Sequence, residues 1–265
     1  MPPGAAMMTP QDALALPQPP ADCTVPYGLL PAQRGDLRLP REVTSAPLVV
    51  LLHGGCWEAS VDRGHLSLFA EALRAQGLAS WNVEYRRVGE DGGGWPGTFD
   101  DVRAALAQLP ALAAAHPVDL SRVLLLGHSA GAHLALWLAS VDPAVSALRG
   151  VLALAPLTDL TRDHLRGFCR RAGGALVEGI DLDADVSRVL ASPALMPPPR
   201  VPVRVLDAAH DAVVAGSHGE RYLAAHPQRV TRAVIPDAGH FELIAPGQSA
   251  CDVVLREALS LLDAG

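Results

Sequence analysis

Six short strand-like runs, each followed by enough chain to form a helix and return, restrict this sequence to few architectures. The runs cover residues 48–52, 79–84, 123–126, 150–155, 201–206 and 230–235. Branched apolar residues dominate most of them, as expected of strands buried on both faces. Between the runs, apolar residues recur at the helical period. The predicted helices cover residues 64–76, 98–115, 131–140, 218–225 and 252–262. Gly77 suits the end of the first, and Pro110 is placed to bend or divide the second. Residues 86–97 are rich in glycine and read as a loop, and residues 117–121 read as a connector. Such strand–helix repeats predict a three-layer α/β fold, with a central, mostly parallel sheet flanked by helices.

The chain has 265 residues, long enough for one large domain with its own core. Residues 25–265 show no break that demands a second domain and no internal repeat. Residues 1–24 carry six prolines and read as a loose N-terminal arm or an early crossing segment, not as a signal peptide. The mixed, polar stretch 159–191 reads as a small insertion or cap over the sheet edge.

Composition narrows the chemistry. All 21 basic residues are arginine, so no lysine side chain is present to form a Schiff base or act as a base. A net charge of −7 argues against a nucleic-acid surface. No apolar stretch approaches the length of a membrane span. The four cysteines, Cys23, Cys56, Cys169 and Cys251, contain no closely spaced ligand pair. Four reduced thiols in a cytoplasmic protein are the expectation. No metal or organic cofactor is expected.

The strongest local signal is Gly127-His128-Ser129-Ala130-Gly131, which follows one predicted strand and opens a predicted helix. A sharp strand-to-helix turn projects a serine Oγ above a sheet, and the flanking glycines leave room where backbones crowd. Ser129 is therefore the predicted nucleophile. The N–H of Ala130 is placed to bind the oxyanion formed on attack. His128 is read as a packing residue beside the site. A second signal is His53-Gly54-Gly55-Cys56-Trp57, directly after the first confident strand. Its glycines allow amides to aim into a cavity, so Gly55 and Cys56 are the expected second oxyanion donors. His53 is read as a brace for this loop. Trp57 is expected at the substrate pocket.

Serine needs a base within hydrogen-bond reach and a group to orient that base. His240 follows the last predicted strand in a flexible turn, Pro236-Asp237-Ala238-Gly239-His240-Phe241, and is the predicted base. His164, His210, His218 and His226 are the competitors. The acid is expected in the loop after residues 201–206. Asp211 is preferred for its reach, Asp207 is the alternative, and Asp237 stays open.

At this point the residues carry a resemblance. The chain resembles bacterial α/β-hydrolases of the arylformamidase and feruloyl-esterase-like (BD-FAE-like) group, which are related to hormone-sensitive-lipase-type esterases. The matching pieces are Tyr27-Gly28, His53-Gly54-Gly55-Cys56-Trp57, Asn82-Val83-Glu84-Tyr85-Arg86-Arg87 and Gly92-Gly93-Gly94-Trp95-Pro96. Further matches are Phe99-Asp100-Asp101-Val102, the serine turn, Ala191-Ser192-Pro193 and Gly239-His240-Phe241. The resemblance implies Ser129, Asp211 and His240 as a triad, and an oxyanion hole from Gly55 or Cys56 with Ala130. It also implies small acyl groups on aromatic or alcohol leaving groups. Trp95 and Phe99 are placed either at the pocket border or in ordinary packing. Two departures stand out. Cys56 occupies a place where arylformamidases usually carry tyrosine, and no His-Gly precedes the acid loop. The expected function is hydrolysis of a small-molecule ester through an acyl-enzyme. The alternatives are an arylformamidase or related amidase, another hydrolase of the same fold, or a non-catalytic binding protein.

Overall fold

The computed structural model describes residues 6–41, 43–160, 168–177 and 190–264. Among these, eight strands form one sheet: β1 (Cys23–Pro26), β2 (Arg34–Arg38), β3 (Ala46–Leu52), β4 (Ala79–Val83), β5 (Val118–His128), β6 (Gly150–Leu154), β7 (Val203–Ala208) and β8 (Val230–Ile235). Their spatial order is β1-β2-β4-β3-β5-β6-β7-β8. β2 pairs antiparallel with both β1 and β4, and every later pairing is parallel. The expected α/β-hydrolase architecture is thus the one observed.

Period-two alternation splits the apolar runs between two faces. Leu48, Val50 and Leu52 of β3, with Val123 and Leu125 of β5, enter one core. Val49, Leu51, Leu124 and Leu126 enter the other. Helices α3 (Gly97–Ala107), α4 (Leu109–Ala115), α5 (Ala130–Val141) and α7 (Ser217–Ala225) contribute to the first core. Helices α2 (Ser67–Ala75) and α8 (Ser249–Asp263) contribute to the second. Residues 130–140 of α5 are buried on every side, which explains their near-continuous apolar sequence.

Several expectations are corrected. Residues 117–121 are no connector, because β5 begins at Val118, which pairs with Ala46. The register slips between Pro47 and Leu48, and Asp119 and Ser121 lie at the open end of the sheet. Polar side chains reach solvent there, so the apolar signal of a buried strand is missing. The 98–115 helix, by contrast, is divided near Pro110, as one of the two expectations for it held, into α3 and α4. Pro110 sits in the first turn of α4, where its missing N–H removes no helical bond.

The N-terminal arm is not loose over its described part. Helix α1 (Pro10–Leu14) is closed by Thr9 and Asp12, each side chain bonding to the other's backbone N–H. Nor are all four thiols reduced: Cys56 and Cys169 are joined by a disulfide, while Cys23 and Cys251 are free. Spacing alone hid this pair, whose members stand 113 residues apart. Of the expected 159–191 insertion, helix α6 (Phe168–Val177) is described, and much of the rest, with His164, lies outside the described residues. Among the described residues, no helix is long and apolar enough to cross a membrane.

Candidate active site

The carboxyl ends of the central parallel strands carry the site. At the end of β5, Ser129 turns the chain into α5 with φ 56° and ψ −117°, an unfavourable conformation for a residue with a side chain. Close backbone approach holds it there. A Cβ on Gly127 would lie 2.3 Å from the carbonyl oxygen of Gly131, and one on Gly131 would lie 2.0 Å from that of Leu52. The N–H of Ser129 donates to the Leu154 carbonyl at 2.8 Å, tying the turn to the next strand.

The loop after β3 packs directly on this turn. A Cβ on Gly54 would lie 3.1 Å from the Cβ of Ser129, so glycine at residue 54 lets the loop pass close without pushing the turn aside. Gly55, Cys56 and Trp57 then follow in the left-handed region, at φ 103°, 52° and 60°. His53 braces the loop from beneath. Its Nε2 lies 2.9 Å from Glu84 Oε1, its Nδ1 lies 2.7 Å from the Gly54 carbonyl oxygen, and its ring stacks on Tyr85 at 4.4 Å. The Tyr85 hydroxyl donates to the His53 carbonyl at 2.8 Å. Burial opposes ionisation of Glu84, but His53, the Arg63 N–H and Arg87 outweigh it and hold the carboxyl at about 2. Glu84 lies within the matching Glu84-Tyr85-Arg86-Arg87 segment, yet its bracing role was missed.

His240 and Asp211 meet from separate loops. His240 Nδ1 lies 2.6 Å from Asp211 Oδ2. The other oxygen of Asp211 accepts the N–H groups of Val213, at 2.8 Å, and Val214, at 2.7 Å. Asp207 faces elsewhere, accepting from Arg232 Nε at 2.6 Å at the exit of β7. His210 and Asp237 are exposed. His218 and His226 are buried away from this cavity, His218 receiving the Thr158 N–H and His226 bonding the Pro193 carbonyl.

His128 packs beneath His240, with ring centroids 4.6 Å apart. Its Nε2 lies 3.1 Å from the His240 carbonyl oxygen, so that nitrogen donates. Its Nδ1 then accepts from His65 Nε2 at 3.4 Å. Burial first, and the neighbouring histidines second, push His128 well below its ordinary value and His65 to about 3. Both stay neutral and serve as hydrogen-bonded packing around the His240 loop.

Ser129, His240, Gly55 and Cys56 line one cavity of about 450 Å³. Its walls are largely apolar and include Leu14, Val61, Val213 and Phe241. Trp57 and Trp95 are not among them, which corrects their expected place at this pocket. Trp57 is fully buried and packs edge-on against His133 at 5.0 Å. Trp95 joins an aromatic cluster with Phe99 and Trp137. Trp57 packs in the core, and Trp95 is partly buried against it. Ala130 is buried at the first position of α5, where an α-helix leaves its N–H without an intrahelical partner.

The comparisons with known proteins agree with this architecture. Residues 36–148 match the sequence model of the BD-FAE family, which bears out the resemblance over that stretch. No curated protein matches the chain significantly. Among solved structures, a truncated carbohydrate esterase from gut microbiota superposes with a TM-score of 0.77 at 18% identity, covering 92% of this chain and 99% of its own. Inhibited esterase B from Lactobacillus rhamnosis gives 0.75 at 20% identity, over 93% of this chain and 89% of its own. Esterase 2 of Thermogutta terrifontis gives 0.70 at 18% identity, over 94% of both chains. At these identities the likeness establishes the fold.

Proposed function

We propose that this chain is a serine hydrolase that cleaves small esters through an acyl-enzyme, as a carboxylesterase does. The observation that carries the reading is the 2.6 Å contact of Asp211 with His240, which lines the same cavity as Ser129 on its strained turn. Asp211 is an acceptor, so His240 Nδ1 carries the hydrogen and Nε2 is the nitrogen that takes up a proton. Ser129 Oγ attacks the ester carbonyl carbon as its proton passes to His240 Nε2. The carbonyl electrons move onto oxygen. That oxyanion is held by the N–H of Ala130 and by an N–H of Gly55 or Cys56. Collapse breaks the bond to the leaving alkoxide, which takes the proton from His240. Water then gives a proton to His240 and attacks the acyl carbon. The acid departs and Ser129 recovers its proton. Asp211 remains ionised and stabilises the imidazolium formed in both halves.

The test is covalent labelling with a fluorophosphonate, followed by peptide mapping, beside turnover of p-nitrophenyl acetate. Label on Ser129 with matching loss of turnover is expected. Folded protein that hydrolyses the ester yet carries no label at Ser129 would remove the serine mechanism. The same assay with N-formyl aniline separates ester from formamide chemistry, and faster turnover of the formamide would move the chain to the amidases.

A further inference from the structure

The cavity has one wall that belongs neither to the sheet nor to its helices. Pro10, Gln11 and Leu14 of α1 line it, together with Ser129 and His240. The segment that carries them is fastened at both of its ends. At one end, the Met8 N–H donates to Glu242 Oε1 at 2.5 Å, while Glu242 Oε2 accepts the Gly239 N–H at 3.1 Å. One buried carboxylate thus joins the N-terminal segment to the loop of His240. Met7 packs so closely there that a Cβ on Gly239 would lie 3.2 Å from its own Cβ. Further along the chain, Arg38 Nη2 donates to the Pro19 carbonyl at 2.5 Å, and Asp22 accepts the Leu39 N–H at 2.7 Å. Between these anchors, Ala13 is buried, while Leu14 keeps half its surface exposed at the cavity rim. An apolar side chain held in place at the rim of a reactive cavity offers area that a bound molecule can cover.

Resting on the esterase reading above, we propose that the N-terminal strap, residues 8–19, is a specificity wall. Leu14 packs against an uncharged, apolar part of the substrate opposite Val213 and Phe241. Substrates whose apolar portion is too short to reach the strap forgo that contact, so the strap favours medium-length acyl or alcohol groups. The preferred class is accordingly an uncharged ester with one apolar arm of several carbons. Pro10 and the closed turn of α1 keep Leu14 at the rim before substrate arrives, so little ordering accompanies binding.

The test compares wild type, Leu14→Ala and Leu14→Asp on two series, p-nitrophenyl acetate against hexanoate and ethyl acetate against hexyl acetate. In the series whose apolar arm meets the strap, the long-to-short ratio of kcat/KM is expected to fall about threefold in Leu14→Ala and at least tenfold in Leu14→Asp. The change should enter through KM. Circular dichroism checks that the half-exposed substitutions leave the fold intact. Ratios within twofold of wild type in both series, for both variants, would overturn the wall assignment while the esterase reading stands. A wild type that hydrolyses none of the four esters would overturn both.

Discussion

His240 Nδ1 and Asp211 Oδ2 lie 2.6 Å apart, whereas Asp207, only four positions earlier, spends its carboxylate on Arg232. The two acids therefore separate experimentally. Asp211→Asn presents an amide to the imidazole and no longer fixes its tautomer, so kcat should fall by about three to four orders of magnitude. Asp207→Asn breaks an ion pair at the exit of β7 and should lower stability more than kcat. Steady-state kinetics with denaturant melts on both proteins provide the check. A larger kcat loss in Asp207→Asn would reassign the acid.

The strain at Ser129 gives a second, independent prediction. Ser129→Ala removes the nucleophile but keeps a Cβ in the same unfavourable conformation, at φ 56° and ψ −117°. Hydrolysis should fall by several orders of magnitude with the fold retained. Ser129→Gly removes the Cβ as well and relieves the turn. It should be more stable than Ser129→Ala by about 1 kcal/mol, at the low end of what such a backbone conformation stores. Equal stabilities in urea titrations would mean that the turn is not strained.

Much of this site was legible because its parts are local. Gly127 and Gly131 flank Ser129 in five residues, and their need for glycine is met by contacts with backbone a few residues away in space. Six of the eight strands were legible as short apolar runs, whose alternate residues enter two cores, but their spatial order was not. What escaped was non-local or masked by composition. Cys56 and Cys169 are far apart in sequence, and nothing in either neighbourhood marks them as partners. The cavity wall at Leu14 was hidden by proline content, although Thr9-Pro10-Gln11-Asp12 holds a helix cap with proline in the first turn, a readable start signal. Trp57 was placed by its neighbours in the chain, but side-chain direction at a left-handed residue cannot be read from spacing.

The disulfide ties the loop that presents Gly55 and Cys56 to α6, which also accepts the Trp95 N–H at the Leu176 carbonyl, 2.7 Å away. Cutting it frees a closed loop of 113 residues in the unfolded chain. Cys169→Ser should cost about 2–5 kcal/mol of stability. It should also lower kcat about tenfold, because the amides at residues 55 and 56 lose a fixed support. Reductant should bring wild type to the level of Cys169→Ser and leave the variant unaltered. Wild type whose melting point and kcat both ignore reductant would deny the bond this supporting role.

Glu84 makes the glycine loop sensitive to acid. Its carboxyl is held at about 2 in the folded chain, against an ordinary 4.5. A depressed carboxyl stabilises the fold fully above the ordinary value and loses that contribution as pH falls toward the folded one. Between pH 5 and pH 3 the loss attributable to Glu84 should be about 2 kcal/mol. Urea titrations of wild type and Glu84→Gln at the two pH values measure it as a difference of differences. The variant should start less stable at pH 5, and the gap between the proteins should narrow by about that amount at pH 3. A gap that stays constant would mean that Glu84 titrates alike in folded and unfolded chains, so that its contact with His53 adds no charge-dependent stability.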